Sequence, residues 1–174
     1  MYRFVEYAIF FIVLILLQVL LFNNLNISVY ISPLAYIAFI LLLPMRVTAF
    51  ATLMLGLLTG ISIDFLTGTA GIHTIATLAT AFCRPKLLSL IAGKEVVAEG
   101  GVPTSQKLGT MKFIRYISLA VLLHCTIFFC FETMNVSYFH LTLLKILLSG
   151  ILTIILIYFS QMLLIGNYGR KNAI

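Results

Sequence analysis

Four stretches of this chain, residues 4–22, 47–65, 113–131 and 141–165, stay apolar for nearly the whole of their length. A helix needs about 20 such residues to cross hydrocarbon about 30 Å thick, and each stretch meets that length. The apolar residues are continuous rather than alternating, which argues against a membrane β-barrel. Only 9% of the residues are charged and 62% are hydrophobic, against about 25% and 45–50% in soluble domains. The chain therefore reads as an all-α polytopic membrane protein.

Two shorter apolar runs bring the expected number of transmembrane helices to about six. Residues 31–44 lie between Pro33 and Pro44, and residues 71–84 lie between Gly71 and Arg84-Pro85. Pro33 suits a first helical turn, and the residue before Pro85 is an expected helix end. Short spans survive by local thinning of the bilayer or by enclosure among longer neighbours. The segment 92–112 is polar and carries Lys94, Glu95, Glu99, Lys107 and Lys112, so a mobile cytoplasmic loop is expected there. All of 1–174 forms one membrane domain in this reading. Arg3 precedes the first run, but Asn23-Asn24-Leu25-Asn26 follows it without a small-residue cleavage site, so an uncleaved first span is expected.

The net charge of +6 is arranged for a membrane rather than for nucleic acid. With the amino terminus inside, Arg3, Arg46, Arg84, Lys86, Lys94, Lys107, Lys112, Arg115, Arg170 and Lys171 fall on the cytoplasmic side, and Lys145 alone falls outside. That bias predicts an inner-membrane protein with both termini in the cytoplasm. Trp is absent, so Tyr2, Tyr7, Tyr30, Tyr116, Tyr138 and Tyr168 are the expected interfacial anchors. Cys83, Cys125 and Cys130 read as small buried apolar residues, with no disulfide between the last two. Asn26 and Asn135 head glycosylation sequons that matter only in a secretory pathway.

A few residues stand out from the apolar background. Gly56, Gly60 and Asp64 recur every four positions, so a helix places them on one face. The glycine pair allows close backbone approach, either to a helix of the same chain or to a partner. Gly68 and Gly71 then break the helix into a turn, and His73 opens the next run. Asp64 is either a turn residue bonding the Thr67-Gly68 amides or a buried group that fixes the corner. His124 sits mid-span with Phe128 and Glu132 on its face, as a neutral histidine bonded to a neighbouring helix or as a proton or ligand site. Asp64, His73, Glu132, His140 and Lys145 share one membrane edge, where they either satisfy one another or snorkel separately. There is no Gly-x-Ser-x-Gly elbow, phosphate-cradling glycine loop or His/Cys cluster at metal spacing, so no enzyme activity, cofactor or metal is expected.

Residues 43–73 resemble the signature of the rod shape-determining MreD family. Leu43, Pro44 and Arg46 enter the third helix, Gly60 and Asp64 follow four apart, and Gly68 and Gly71 close the turn. Arg84-Pro85, and His124 with Phe128-Phe129 and Glu132, resemble the Bacteroidota branch. The resemblance implies a fold similar to the S-components of energy-coupling-factor transporters. It also implies a non-enzymatic scaffold of the cell-wall elongation complex, which binds MreC and, through it or directly, RodA, a penicillin-binding transpeptidase and MreB. A vitamin-uptake subunit is the rival expectation. Such subunits generally carry paired alanines on the first helix, where this chain has Ala8 among bulky residues.

Overall fold

A computed structural model describes residues 2–22, 31–133 and 139–169. The expected anchors Tyr30 and Tyr138, both sequons, and Arg170 and Lys171 lie outside them, as do the side chains of Tyr2, Arg3 and Tyr168. The described residues form helices and no strands: α1 (Tyr2–Leu16, continued as a π-helical stretch Leu17–Phe22), α2 (Ile37–Leu41), α3 (Ala49–Thr67), α4 (Ile72–Ala92), α5 (Lys94–Glu99), α6 (Ser105–Leu108), α7 (Thr110–Thr133) and α8 (Phe139–Gly169). Five of these stretches are long and apolar enough to cross a membrane: Val5–Phe22, Ala49–Thr67, Ile72–Ala92, Thr110–Thr133 and His140–Met162. Helix α3 packs on α4, α4 on α7 and α7 on α8.

The expected second span departs most from the sequence reading. Residues 31–44 hold only the five-residue α2, preceded by extended chain and a turn. The reason is enclosure. From Leu34 to Leu43 no residue is more than 4% exposed, so this segment lies enclosed among the long helices. Irregular backbone is tolerated at membrane depth only in such surroundings.

Helix α4 also differs from expectation, because Pro85 lies inside it rather than after its end. Proline removes one helical hydrogen bond and crowds the preceding turn. The helix nevertheless continues to Ala92, and its last two turns bury Leu88 and Ala92, so packing overrides the local signal.

The segment 92–112 is folded and docked rather than loose. It contains α5 and α6, and Val102, Thr104 and Leu108 are buried. The Gly101 carbonyl accepts from the Met45 amide (2.8 Å), and the Ser105 amide donates to Gln161 Oε1 (2.8 Å). On its exposed side Lys107 meets Glu99 at 2.7 Å, and the ammonium holds that carboxyl below its usual range.

Candidate functional site: a broken segment and its clasp

A broken segment inside a helical bundle leaves amides and carbonyls without helical partners, and each unpaired group in so dry a place is costly. Here side chains from several helices supply the partners. At the leading end, Ser149 Oγ accepts from the Ser32 amide (2.9 Å) and Thr153 Oγ1 from the Leu34 amide (3.0 Å). Both come from α8, four residues apart and hence on one face. Gln18, in the π-helical stretch of the first span, is buried. It donates to the Pro33 carbonyl (3.0 Å) and accepts from the Ala35 amide (2.8 Å).

At the trailing end, three successive carbonyls past the middle of α2 are met by three different helices. Tyr116 of α7 donates to Leu41 (3.0 Å), Tyr7 of α1 donates to Leu42 (3.3 Å), and Arg84 of α4 donates through Nη2 to Leu43. Arg84 is only 1% exposed, and its Nε has no partner among the described residues.

The middle of the segment is fixed by a polarised chain of side chains. Thr80 Oγ1 donates to the Ala76 carbonyl (2.8 Å), which leaves its lone pairs facing His124 Nδ1 at 3.2 Å. Counting donors then places a proton on His124 Nδ1 and leaves Nε2 to accept from the Tyr36 hydroxyl (2.9 Å). The Tyr36 oxygen in turn accepts from His73 Nδ1 (2.9 Å). Donor counting thus assigns a neutral His124 protonated on Nδ1 and places a proton on His73 Nδ1. The chain ties α4 and α7 to the segment between them. Of the two expectations for His124, the geometry matches a neutral histidine bonded to its neighbours.

The carboxylate of Asp64 closes the joint between α3 and α4. It accepts from Thr69 Oγ1 (2.5 Å), the His73 amide (3.1 Å), the Thr74 amide (2.8 Å) and Thr74 Oγ1 (2.6 Å). Two of these donors are amides in the first turn of α4, whose own N-cap, Gly71, offers no side chain. Asp64 therefore caps α4 from the preceding helix. The Thr67-Gly68 amides are not partners of the carboxylate; the Gly68 amide donates instead to the Asp64 main-chain carbonyl. Gly68 (φ +69°) and Gly71 (φ +86°) take left-handed conformations that a side chain would strain. Gly56 and Gly60 face α4: a Cβ on Gly60 would lie 2.4 Å from Thr74 Cα, and one on Gly56 would lie 2.9 Å from Ala81 Cβ. The glycine face serves packing within this chain.

The five polar residues expected at one membrane edge do not join into one network among the described residues. Lys145 meets Glu132 at 2.9 Å and lies 5.6 Å from the Phe129 ring centroid, whereas Asp64 is committed to hydroxyls and amides. His140 is exposed. Cys125 is buried as expected, but Cys130 is exposed on the opposite side of α7 and Cys83 is half-buried; all three are free.

Sequence reasoning missed Tyr36, Gln18, Thr80, Ser149 and Thr153 and the inward role of Arg84. A signal existed for several of them, because a polar residue inside an apolar span faces the protein interior rather than lipid. Set against protein families, curated proteins and solved structures, the chain matches none.

Proposed function

We propose that this chain is a non-enzymatic, multi-pass scaffold of the cell-wall elongation complex in the bacterial inner membrane, as the resemblance to the MreD family implies. Its partner is MreC and, through it or directly, RodA, the penicillin-binding transpeptidase and MreB. In this reading the chain takes the S-component-like arrangement, with the enclosed segment 31–44 in the place of a sixth span. Both termini are cytoplasmic, because Arg46, Lys94, Lys107 and Lys112 then share the inner side.

One observation carries the reading. The residues on which the resemblance rests are joints of the frame: Leu43 is held by Arg84, Arg46 donates to the Ala98 carbonyl (3.0 and 2.9 Å), Gly60 and Asp64 lock α3 to α4, and His124 anchors Tyr36. A solute transporter keeps its binding site near the bilayer midplane. Here Leu34–Leu43 fill the interior with buried side chains. A rigid frame with a filled interior suits a protein that positions others.

Affinity purification from native membranes in mild detergent tests this. The wild-type chain should bring down MreC in near-stoichiometric amount. Absence of MreC, together with tight retention of a vitamin, would replace the scaffold with the uptake subunit.

A further inference from the structure

A groove of about 450 Å³ opens on the membrane-facing side between α1 and α3. Its walls are Ala8 and Phe11 of α1 and Leu55 and Leu58 of α3, and Phe39 and Pro44 of the broken segment form its floor. The size falls within the usual range for ligand sites. The lining is apolar throughout, since the Tyr7 hydroxyl beside it is already bonded to the Leu42 carbonyl. An occupant must therefore be hydrocarbon where it touches these walls.

Two such occupants exist in a membrane, a lipid chain and a partner helix. One turn of a helix 10 Å across fills about 420 Å³, so the groove has room for a single turn and no more. Close helix approach also needs small residues. The small pair on α3, Gly56 and Gly60, faces α4 instead, and Ala8 stands among bulky neighbours. A flexible hydrocarbon chain fits these walls and a helix does not.

A cation stands next to the lining along the chain. Arg46 stands in the chain between the lining residues Pro44 and Val47, and it is exposed. Its Nε and Nη2 donate to the Ala98 carbonyl, which leaves three of the five guanidinium N–H donors for another acceptor. Gly100, where a Cβ would lie 2.8 Å from Arg46 Cδ, lets the turn close over this side chain and fix it. We propose that the groove holds one acyl chain of an anionic phospholipid whose net negative headgroup is met by Arg46. This site is independent of which protein the scaffold binds.

The absence of Trp makes the test direct. Phe11→Trp puts a single indole on one wall, Leu58→Trp puts one on the other, and Ile151→Trp, on the exposed face of α8, serves as a control. Each full-length variant is reconstituted in vesicles in which either the anionic or the zwitterionic phospholipid carries brominated chains, and quenching is compared. One basic residue near the headgroups is worth about a fivefold preference. At least one wall variant should show about that preference for the anionic lipid, and adding Arg46→Gln should abolish it, while the control shows none. Equal quenching by both lipids at both walls reduces the groove to ordinary lipid contact and overturns the proposal. Quenching by neither lipid, with the control still quenched, means the groove is closed or filled by protein and overturns it as well.

Discussion

Helix α3 meets its two neighbours in opposite ways. Toward α4 it presents Gly56 and Gly60, and the two backbones come so close that a Cβ on Gly60 would overlap Thr74 Cα at 2.4 Å. Toward α1 it presents Leu55 and Leu58, and a groove of about 450 Å³ remains between them. Both faces are apolar, so hydrophobicity does not separate them. In lipid, association depends on close packing and hydrogen bonds rather than on expelling water. Side-chain size therefore decides which contact becomes a joint and which stays open. The joint is then locked at its end by Asp64, while the open side is held by sparser direct contacts with the first span and by the buried segment 31–44.

The strongest attempt to break this comparison is Gly60→Leu against Leu57→Ala. The leucine has no space beside the Thr74 backbone, so the variant should lose at least about 3 kcal/mol, and most of the folded protein with it. Leu57 is only half-buried, and its truncation should leave the yield of folded protein close to wild type. Size-exclusion profiles in detergent measure both. Equal losses would mean that size on the α4 face is not decisive.

Asp64→Ala comes next. It strands two amide and two hydroxyl donors at the head of α4. At about 1–3 kcal/mol for each unsatisfied group, with the hydroxyls free to turn elsewhere, the loss should be about 3–5 kcal/mol. Thermal unfolding followed by circular dichroism reads it. A loss below about 1 kcal/mol would show that the glycine packing alone makes the joint.

Tyr36→Phe probes the hold of α4 and α7 on the broken segment. It leaves His73 Nδ1 and His124 Nε2 facing a ring carbon, and should cost about 1–3 kcal/mol. Amide exchange should rise within residues 34–43 before it rises in α3 or α4. Uniform exchange across the bundle would mean that the broken segment is not a separate unit.

How far the sequence carried this picture follows the same division. The glycine face was legible because period-four spacing is local, and Asp64 stood out as a carboxylate within an apolar run. The sequence left open whether the glycines served this chain or a partner, since it does not say what lies across the interface. Tyr36 carried no signal of its own in the sequence, because its partners His73 and His124 are 37 and 88 positions away. Ser149 and Thr153 reach residues 117 and 119 positions away. Pro85 misled in the other direction, since its local rule gave way to the burial of Leu88 and Ala92. The docked segment 92–112 was read as mobile because its polar composition hides anchors such as Gln161 and Arg46, which sit on other elements.

The smallest effect belongs to a joint made a third way. Helices α7 and α8 share the pair Glu132–Lys145, whose side chains are 38% and 22% exposed. Hydrogen-bonded pairs within membranes average about 0.6 kcal/mol, so the coupling in a Lys145→Met and Glu132→Gln double-mutant cycle should be of that order. Each single change should lower folded yield at least as much as the double, because it leaves one charge without its partner. Strictly additive losses would return both residues to independent snorkelling.

The scaffold reading is tested most directly by depleting the protein from growing cells of the organism that makes it. The account expects cells to lose their shape or lyse, without any vitamin restoring growth, and expects rescue by the wild-type chain but not by Gly60→Leu. Cells that keep their shape, or that recover on addition of a vitamin, would contradict it.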